Sequence, residues 1–235
     1  MATEEQRLCE AVASWLLYKS LTGLSSHLNE SSMGVPIAEF LASQHGREIE
    51  SERQHPRFKS KSAGRPKQID FVRTKTSGTH WHAAYECKYQ NDTKERLIAD
   101  ICRLLCLGHQ EVRAEIGTPK RFFVFAGKRN DADVPINLSI NSASGGRISI
   151  FHGILRRSPV GLQEKLTCRI SDLDRRQVDH FARFAEVNKV KLPSVFVSEL
   201  KGLAIMSDYA CSIWQIMSSK GSKLLSHEEL KQSVK

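Results

Sequence analysis

Apolar residues near the start of the chain recur at intervals of three and four, which is the spacing of an amphipathic helix. This pattern predicts a first helix over residues 4–21, whose apolar positions are Leu8, Val12, Trp15 and Leu16. After a polar stretch that we interpret as a loop, Pro36 opens a second helical pattern that ends at Gly46. Proline at a helix start and glycine just past a helix end are both common. The chain is therefore expected to begin with two helices.

The pattern then changes to the two-residue alternation of β-strands. We predict strands over residues 47–53, 68–74 and 80–89, a helix over 94–108 and a strand over 121–127. The last strand, RFFVFAG, is apolar throughout, which is typical of a strand that is covered on both faces and reached by a helical crossover. The order of elements is helix, three strands, helix, strand, and it predicts an α/β fold.

Beyond residue 128 the pattern predicts a mixture of strands and helix. The expected elements are a hairpin around a turn at 142–146, a helix after a capping box of Ser171 and Asp174, strand over 191–217, and a polar, frayed tail from Ser218. No internal repeat or linker divides the chain. We therefore assign residues 1–128 to a core and 129–235 to a C-terminal α+β extension that packs on this core or continues it.

The chain is basic, with 35 Lys and Arg against 26 Asp and Glu and a pI of about 9.3. The positive charge is concentrated, because residues 53–75 hold eight Lys or Arg and one acid, Asp70, whereas residues 1–52 hold eight acids and three bases. A basic surface attracts polyanions, so nucleic acid is the leading candidate partner. Net charge alone is equally compatible with a protein that binds no polyanion.

Six cysteines at positions 9, 87, 102, 106, 168 and 211 form no CxxC pair, which argues against a zinc ribbon or a thioredoxin-type site. Cys102 and Cys106 lie four apart in a helical pattern, and we interpret them as small core residues rather than a thiolate pair. No run approaches the roughly 18 apolar residues of a membrane span, so no membrane partner is expected. We expect a reduced, cytoplasmic, soluble protein.

Candidate chemistry lies on two adjacent predicted strands. Two-residue periodicity places Glu86 and Lys88 on one face of their strand, and Asp70 lies on the neighbouring strand. Asp70 and Glu86 could share a magnesium ion, with the Cys87 carbonyl as a further ligand, because magnesium takes oxygen ligands and binds substrate phosphate. The metal would lower the pKa of a bound water, and Lys88 would orient that water or neutralise developing charge.

The acid-x-lysine tripeptide is weak evidence by itself. It recurs at Asp92/Lys94, Glu199/Lys201 and Glu229/Lys231. The Glu199/Lys201 pair is the serious rival, because it also falls in a strand pattern, but only the Glu86/Lys88 pair has an acid on an adjoining strand. A surface strand with a cross-strand ion pair is the remaining alternative.

The segments KQIDFVRT and AYECKY, followed by an amphipathic helix and the apolar strand RFFVF, resemble the core of the PD-(D/E)XK nuclease superfamily, the restriction-endonuclease-like fold. The resemblance covers roughly residues 5–127. It implies a central mixed β-sheet flanked by helices in the order αβββαβ. It also implies that Asp70 and Glu86 bind catalytic magnesium, for which manganese can substitute, and that Lys88 assists the attacking water. Ile69 stands where the family motif has proline, a departure that is frequent in the family.

In that family a glutamate from the first core helix often completes the site. Glu10 is our choice, because its helix is otherwise largely apolar, and Glu39 in the second helical pattern is the alternative. An exposed helix acid without a role in the site is equally compatible with the position of Glu10.

Two further groups lie near the predicted site. His80 and His82 share the face of Glu86, and we interpret them as partly exposed histidines that can contact phosphate, since the further ligands of a zinc site are missing nearby. A basic loop leads into the Asp70 strand, and its predicted nucleic-acid contacts are Arg57, Lys59, Lys61, Arg65 and Lys67. A solvated loop without such contacts is the alternative.

These observations predict a magnesium-dependent deoxyribonuclease that hydrolyses phosphodiester bonds of DNA. The alternative is a catalytically silent nucleic-acid-binding or assembly protein with the same fold, since fold alone does not fix function. Cleavage specificity, endo- or exonuclease mode and biological pathway stay open, as does assembly into a homodimer or with a partner subunit.

Overall fold

The computed structural model describes residues 2–58, 67–75, 78–90, 93–128 and 165–233, and the backbone of residues 139–141 and 147–149. The helices in these parts of the chain are α1 (Glu4–Leu21), α2 (Glu30–His45), α3 (Lys94–Cys106), α4 (Gln110–Ile116), α5 (Arg175–Asn188) and α6 (His227–Gln232). None of the helices in the described ranges is both long enough and apolar enough to cross a membrane.

The strands are β1 (Ile49–Gln54), β2 (Gln68–Thr74), β3 (Trp81–Tyr89), β4 (Lys120–Lys128), β5 (Ser139–Asn141), β6 (Arg147–Ser149), β7 (Lys165–Arg169), β8 (Leu192–Pro193), β9 (Val195–Met206), β10 (Tyr209–Ser218) and β11 (Leu224–Leu225). Seven of them form one sheet in the order β1-β2-β3-β4-β10-β9-β7, and two short pairs, β8 with β11 and β5 with β6, form separate sheets.

The large sheet is mixed and mostly antiparallel. β3 and β4 run parallel, with Glu86 beside Phe123, and α3 and α4 form the crossover that joins them. The other neighbouring strands of this sheet pair antiparallel. Because β4 also pairs with β10, strands from the C-terminal half of the chain continue the sheet that the N-terminal half begins.

Two apolar clusters cover the two faces of the large sheet. One cluster joins the sheet to α3 and α5 and includes Ala84, Ile101 and Phe181, whereas the other joins the sheet to α1 and α2 and includes Leu16 and Tyr85. Burying each large apolar side chain stabilises the fold by roughly 1.5–3 kcal/mol. The strand that carries Glu86 is therefore covered on both faces.

The predicted α/β class is confirmed, and several predicted elements match the structure closely. The first helix and the strand over residues 68–74 have the predicted bounds, and the helix predicted over 94–108 is α3. Its apolar stripe packs against the sheet as expected from the spacing. The predicted hairpin is seen in the antiparallel pairing of β5 and β6, and its turn at 142–146 lies outside the described residues.

The predicted start of the second helix at Pro36 is wrong, because α2 begins six residues earlier. Asn29 accepts a hydrogen bond from the backbone of Ser32, and the side chain of Ser32 accepts one from the backbone of Asn29. This reciprocal capping box fixes the helix start at Glu30, so Pro36 lies inside α2. The helix ends as predicted at Gly46, whose φ of 56° suits glycine.

Three further predictions need correction. The short helix α4 was not predicted, since its apolar positions, Val112 and Ile116, are too few to give a clear period. Asp174 alone caps α5 by accepting from the backbone of Gln177, so no capping box with Ser171 forms there. The tail predicted to fray from Ser218 instead forms β11 and α6, which buries Leu230.

Candidate functional site

Asp70 and Glu86 lie where the pairing between β2 and β3 ends. The last antiparallel pair of these strands is Phe71 with Tyr85, so a continued register would place Asp70 opposite Glu86. Directly opposite residues project from the same face of a sheet. In place of a continued ladder, the backbone N–H of Cys87 donates a hydrogen bond to Oδ2 of Asp70 at 2.7 Å. The two predicted metal-binding carboxylates therefore share a face at the point where two strands cease to pair.

The pairing on the other side of β2 is also interrupted beside Asp70. β1 pairs with β2 through Ser51 and Arg53 but skips Glu52, which the register would place opposite Asp70. Glu52 has a φ of 51°, a left-handed conformation that costs roughly 1–2 kcal/mol for a residue other than glycine. Asp70 thus lies in a part of the sheet that is irregular on both sides.

Lys88 is buried on the same face of β3 as Glu86, and it lies between two carboxylates. Its Nζ donates to both carboxylate oxygens of Glu30 at 2.8 Å and forms an ion pair with Oδ2 of Asp100, also at 2.8 Å. Burial by itself would lower the pKa of Lys88, but Asp100 and Glu30 outweigh burial and raise this pKa above its ordinary value. The ammonium group is therefore protonated at neutral pH.

Glu86 is fully buried and is paired with an arginine of α3. Arg103 donates from Nε to Oε1 of Glu86 at 2.6 Å and from Nη2 to Oε2 at 3.0 Å, which makes a bidentate pair. The same Nη2 also donates to Asp100. Burial raises the pKa of Glu86 well above its usual range, Arg103 opposes this effect, and Asp100 and Asp70 reinforce it.

Hydrogen bonds and ion pairs join side chains from α2, β3 and α3 into one group, and Asp70 of β2 lies close enough to raise the pKa of Glu86. The members of this ion-pair cluster are Glu30, Asp70, Glu86, Lys88, Asp100 and Arg103. Four of them are carboxylates and two are cationic, so two negative charges are unbalanced when every group is ionised. The four most buried members, Glu86, Lys88, Asp100 and Arg103, balance one another in charge, and the excess lies on Glu30 and Asp70, which are partly exposed. A bound cation would reduce the repulsion among the carboxylates.

Asp70 and Glu86 fit magnesium by their chemistry, because magnesium is usually held by one or two carboxylates together with waters and substrate phosphates. Within the described ranges, no set of three or more His, Cys, Asp or Glu side chains has an arrangement suited to a metal ion. Both oxygens of Glu86 accept hydrogen bonds from Arg103. Arg103 therefore competes with a metal ion for Glu86.

A glutamate from a helix does reach the cluster, and it is Glu30 of α2. Glu10, our choice from the sequence, lies on α1 and accepts a hydrogen bond from Gln6 at 3.0 Å, and the structure does not bring it to Lys88. Glu39, the alternative, is exposed on α2. Glu30 was missed because the polar stretch around it was interpreted as a loop.

Cys87 takes the place that strand periodicity gives it, whereas the alternation is interrupted at the start of β3, where Trp81 packs in the same cluster as Ala84. The Cys87 thiol is buried on the face opposite to Glu86, and burial, reinforced by Asp70 and Glu86, raises its pKa well above the usual range. It is therefore not a thiolate, and metal binding by its carbonyl stays a prediction. His80 and His82 are exposed.

The predicted nucleic-acid contacts have different surroundings. Arg57 forms an ion pair with Glu111 at 2.5 Å. Lys67 is half-buried, donates to Asn188 Oδ1 at 2.5 Å and lies over two phenylalanine rings, and burial lowers its pKa. The remaining predicted contacts lie outside the described residues, and they are Lys59, Lys61 and Arg65.

The rival acid-x-lysine pairs have structural surroundings of their own. Glu199 and Lys201 on β9 form a half-exposed ion pair with each other at 2.5 Å. Glu229 accepts from Lys223 and from the backbone of Ser226 at the start of α6. Asp92 lies outside the described residues. In the described part of the chain, neither Glu199/Lys201 nor Glu229/Lys231 is joined to the ion-pair cluster.

Sequence reasoning also missed Asp100 and Arg103, although Asp100 carried a signal. It lies three residues after Leu97 and four before Leu104, so it falls on the apolar stripe of α3, and it is 2% exposed. A charged residue on a buried stripe calls for a partner of opposite charge. Arg103 lies three residues further along the same helix and supplies that partner.

Comparison of the chain with models of protein families, with curated proteins and with solved structures finds no match.

Proposed function

We propose that the chain is a metal-dependent nuclease that hydrolyses phosphodiester bonds of DNA, with Asp70 and Glu86 as ligands of magnesium or manganese. One observation carries this proposal. Asp70, Glu86 and Lys88, selected from spacing in the sequence, belong to one ion-pair cluster, in which Glu86 and Lys88 are buried and Asp70 is partly exposed, at the place where β2 and β3 cease to pair. A cross-strand ion pair on the protein surface, the simplest alternative, does not describe a Glu86 that is fully buried.

The order of elements supports a restriction-endonuclease-like core over residues 1–128. Helices precede the antiparallel strands β1, β2 and β3, and α3 then leads to β4, which is parallel to β3. This is the αβββαβ order that the sequence resemblance implies. The strands β10, β9 and β7 extend the sheet beyond β4.

The charge of the cluster supports a bound cation. Four carboxylates surround two cationic side chains, and a divalent ion would balance the difference. When bound, magnesium lowers the pKa of a water and stabilises negative charge on phosphate oxygens. Lys88, held protonated by Asp100 and Glu30, supplies a fixed positive charge that orients the water or neutralises developing charge, and it does not accept the proton of that water.

Glu30 and Asp100 act through Lys88 in this proposal and are positioning residues. Glu30 on α2 and Asp100 on α3 each lie 2.8 Å from Nζ of Lys88, so the ammonium group is fixed before substrate arrives. Groups that are placed in advance stabilise a transition state without a reorganisation cost. DNA as the substrate and a cytoplasmic location belong to this proposal.

The contact between Arg103 and Glu86 favours a second candidate, a nucleic-acid-binding or assembly protein that does not cut. Arg103 satisfies both oxygens of Glu86 without a metal. In that case the cluster is a structural ion-pair network, and the basic surface alone binds nucleic acid. The excess of two carboxylates, carried by the partly exposed Glu30 and Asp70, argues against this candidate, because a purely structural network needs no surplus of negative charge.

Cleavage assays distinguish the two candidates. Purified protein is incubated with plasmid, linear and branched DNA in magnesium, in manganese and in EDTA. We expect cleavage that requires the metal and falls by about 10²–10³-fold in Lys88→Ala, the size of effect that loss of one transition-state contact produces. The matched control is Lys201→Ala, which removes the lysine of another strand-borne Glu-x-Lys pair and should retain activity.

Metal binding is measured separately by calorimetry with manganese. Asp70→Asn should abolish binding, because an amide is a poor substitute for a carboxylate ligand of a hard cation. Cleavage that persists unchanged in both Asp70→Asn and Lys88→Ala would contradict the proposed site. DNA binding without metal-dependent cleavage of any substrate would favour the second candidate.

A further inference from the structure

A second charged region lies beside the core, outside the ion-pair cluster. It is a cavity of about 670 Å³ between the residues that follow β1, the start of α4 and the segment after α5. Its lining includes three cationic side chains, Arg57, Lys189 and Lys191, and one acid, Glu111. The cavity therefore combines residues of the N-terminal core with residues of the C-terminal half. The C-terminal half contains none of the nucleic-acid contacts predicted from the sequence.

The positive charge of this cavity rests on its lysines. Arg57 is paired with Glu111, whereas Lys189 and Lys191 are exposed and form no ion pair with any carboxylate of the described residues. Burial and the nearby Arg57 lower the pKa of His109, which also lines the cavity, so this imidazole is neutral near pH 7. Two exposed ammonium groups, of which Lys191 also interacts electrostatically with Glu229, therefore face a cavity whose described lining contains a single acid.

The backbone holds Lys189 in an unusual position. Lys189 ends α5 with a φ of 51°, a left-handed conformation in which glycine is the favoured residue. A lysine costs roughly 1–2 kcal/mol more than glycine in this conformation. Strain of this kind is often retained at functional sites, where the side chain contributes to binding.

Two sets of hydrogen bonds tie this cavity to the ion-pair cluster. The backbone N–H of Arg57 donates to Nδ1 of His55 at 3.1 Å, and Nε2 of His55 bonds the backbone carbonyl of Arg103 at 3.0 Å. Lys67, three residues before Asp70, donates to Asn188, which directly precedes Lys189. The cavity and the candidate active site are therefore fixed relative to each other through short contacts.

We infer that this cavity is a binding subsite for backbone phosphates of duplex DNA, and that it holds the DNA next to the ion-pair cluster. Lys189 and Lys191 supply the contacts, and Arg57 adds to them. Phosphate oxygens match this chemistry, because lysine and arginine bind them as charge-assisted donors without selecting a base sequence. The inference extends the proposed function by naming the surface that would receive the substrate, and it rests on that function only for the choice of DNA.

The test measures DNA binding in EDTA, so that cleavage plays no part. A fluorescently labelled duplex is titrated with protein at several salt concentrations, and binding is followed by anisotropy. In Lys189→Glu/Lys191→Glu we expect the affinity to fall by at least about tenfold, because two attractive charges become repulsive. The slope of log K against log salt should decrease in magnitude by roughly 1 to 2, since each phosphate contact contributes about 0.9.

A matched control and an opposite variant make the test specific. Arg7→Glu/Arg47→Glu makes the same change in net charge on exposed residues of α1 and just after α2, elements that cover the other face of the sheet, and should have a much smaller effect. Glu111→Gln removes the acid of the cavity and should tighten DNA binding about two- to fivefold. Tighter binding by a variant is not a result of misfolding.

Equal losses in the cavity variant and in the Arg7/Arg47 control would overturn the inference, because they would show that net charge alone attracts the DNA. Unchanged affinity in both the lysine variant and Glu111→Gln would also overturn it. Failure of the nuclease proposal gives a different result, namely weakened binding in the lysine variant together with no cleavage by the unmodified protein in magnesium.

Discussion

The two faces of β3 are buried to the same degree but filled by different chemistry. On the face covered by α1 and α2, Tyr85 and Cys87 pack among apolar side chains. On the face covered by α3, Glu86 and Lys88 are equally buried, yet they contact charged groups. A single strand thus supports an apolar core on one side and a charged network on the other.

This difference indicates which face carries function. An apolar face stabilises the fold without further requirements. A buried charged face contributes little net stability, because the loss of hydration offsets the attraction between the charges. The α3 face retains the buried carboxylates Glu86 and Asp100 at that cost, with Asp70 beside them and Glu30 reaching Lys88 from α2, so binding of a ligand is the simpler reason for its composition.

The largest effect on stability is expected when a charge is removed from the α3 face. Asp100→Ala removes a carboxylate that pairs with both Lys88 and Arg103. Asp100 is 2% exposed, so water cannot replace the lost carboxylate. We expect the free energy of unfolding to fall by about 3–5 kcal/mol. Urea denaturation followed by circular dichroism measures this change.

A helix aspartate of α5 provides the control. Asp179 is exposed, so Asp179→Ala should change the free energy of unfolding by less than about 0.5 kcal/mol. In the double variant Asp100→Ala/Lys88→Met, part of the loss should be recovered, because the unpaired ammonium is gone. A loss of under 1 kcal/mol for Asp100→Ala would mean that the network is hydrated and that the two faces differ less than we infer.

The sequence predicted the strands and the residues on them better than it predicted the helices. Strand β2 and the alternation along β3 follow from local periodicity, so the faces of Glu86, Lys88 and Cys87 were correctly assigned. Asp70 was correctly grouped with them because adjacent strands in the chain usually pair. These features depend on neighbours within about twenty residues of sequence.

The partners of these residues lie far from them in the sequence. Glu30 lies 58 residues from Lys88, and His55 lies 48 residues from the Arg103 carbonyl that it bonds. The capping box that places Glu30 at the start of α2 resembles a serine-rich loop when it is read without the fold. The sequence therefore predicted which strands carry the site, but not which helix residues complete the ion-pair cluster.

The second prediction concerns the pH dependence of stability, which we attribute to a buried histidine that bonds α3. His55 is buried, and its Nδ1 accepts from Arg57 while its Nε2 bonds the Arg103 carbonyl, so the neutral ring is the form that fits. Burial lowers the pKa of His55 to about 3. The unfolded chain binds this proton below about pH 6.5 and the folded chain does not, so stability is complete above that pH and falls as the pH decreases towards 3.

Expressed as a slope, the free energy of unfolding should fall by roughly 1.4 kcal/mol for each pH unit within this window. Urea denaturation at pH 7, 6 and 5 measures the slope, and comparison with His55→Gln isolates the part that comes from this ring. His82→Gln, which changes an exposed histidine, should keep the slope of the unmodified protein. Identical slopes for the unmodified protein and His55→Gln would show that His55 is protonated in the fold.

The third prediction tests whether the charged residues on the α3 face form a metal site or a purely structural network. Arg103 occupies both oxygens of Glu86, so it competes with any cation for that carboxylate. We expect Arg103→Gln to tighten manganese binding by about tenfold, the equivalent of roughly 1.4 kcal/mol, which is within the range of one charge-assisted contact. Calorimetry measures the affinity, and Arg183→Gln on the exposed side of α5 is the control. Weaker manganese binding in Arg103→Gln would assign Arg103 to the support of the site.

The smallest effect is expected on the apolar face. Cys87→Ala removes one buried sulfur from the cluster beneath α1 and α2 and should lower the free energy of unfolding by about 1 kcal/mol. The bond from Cys87 to Asp70 is made by the backbone N–H, which alanine retains. Manganese affinity should therefore be unchanged in Cys87→Ala, although its neighbours on the strand are Glu86 and Lys88. A shift in that affinity would show that packing on the apolar face sets the geometry of the charged face, because the substitution alters no group that faces the cluster.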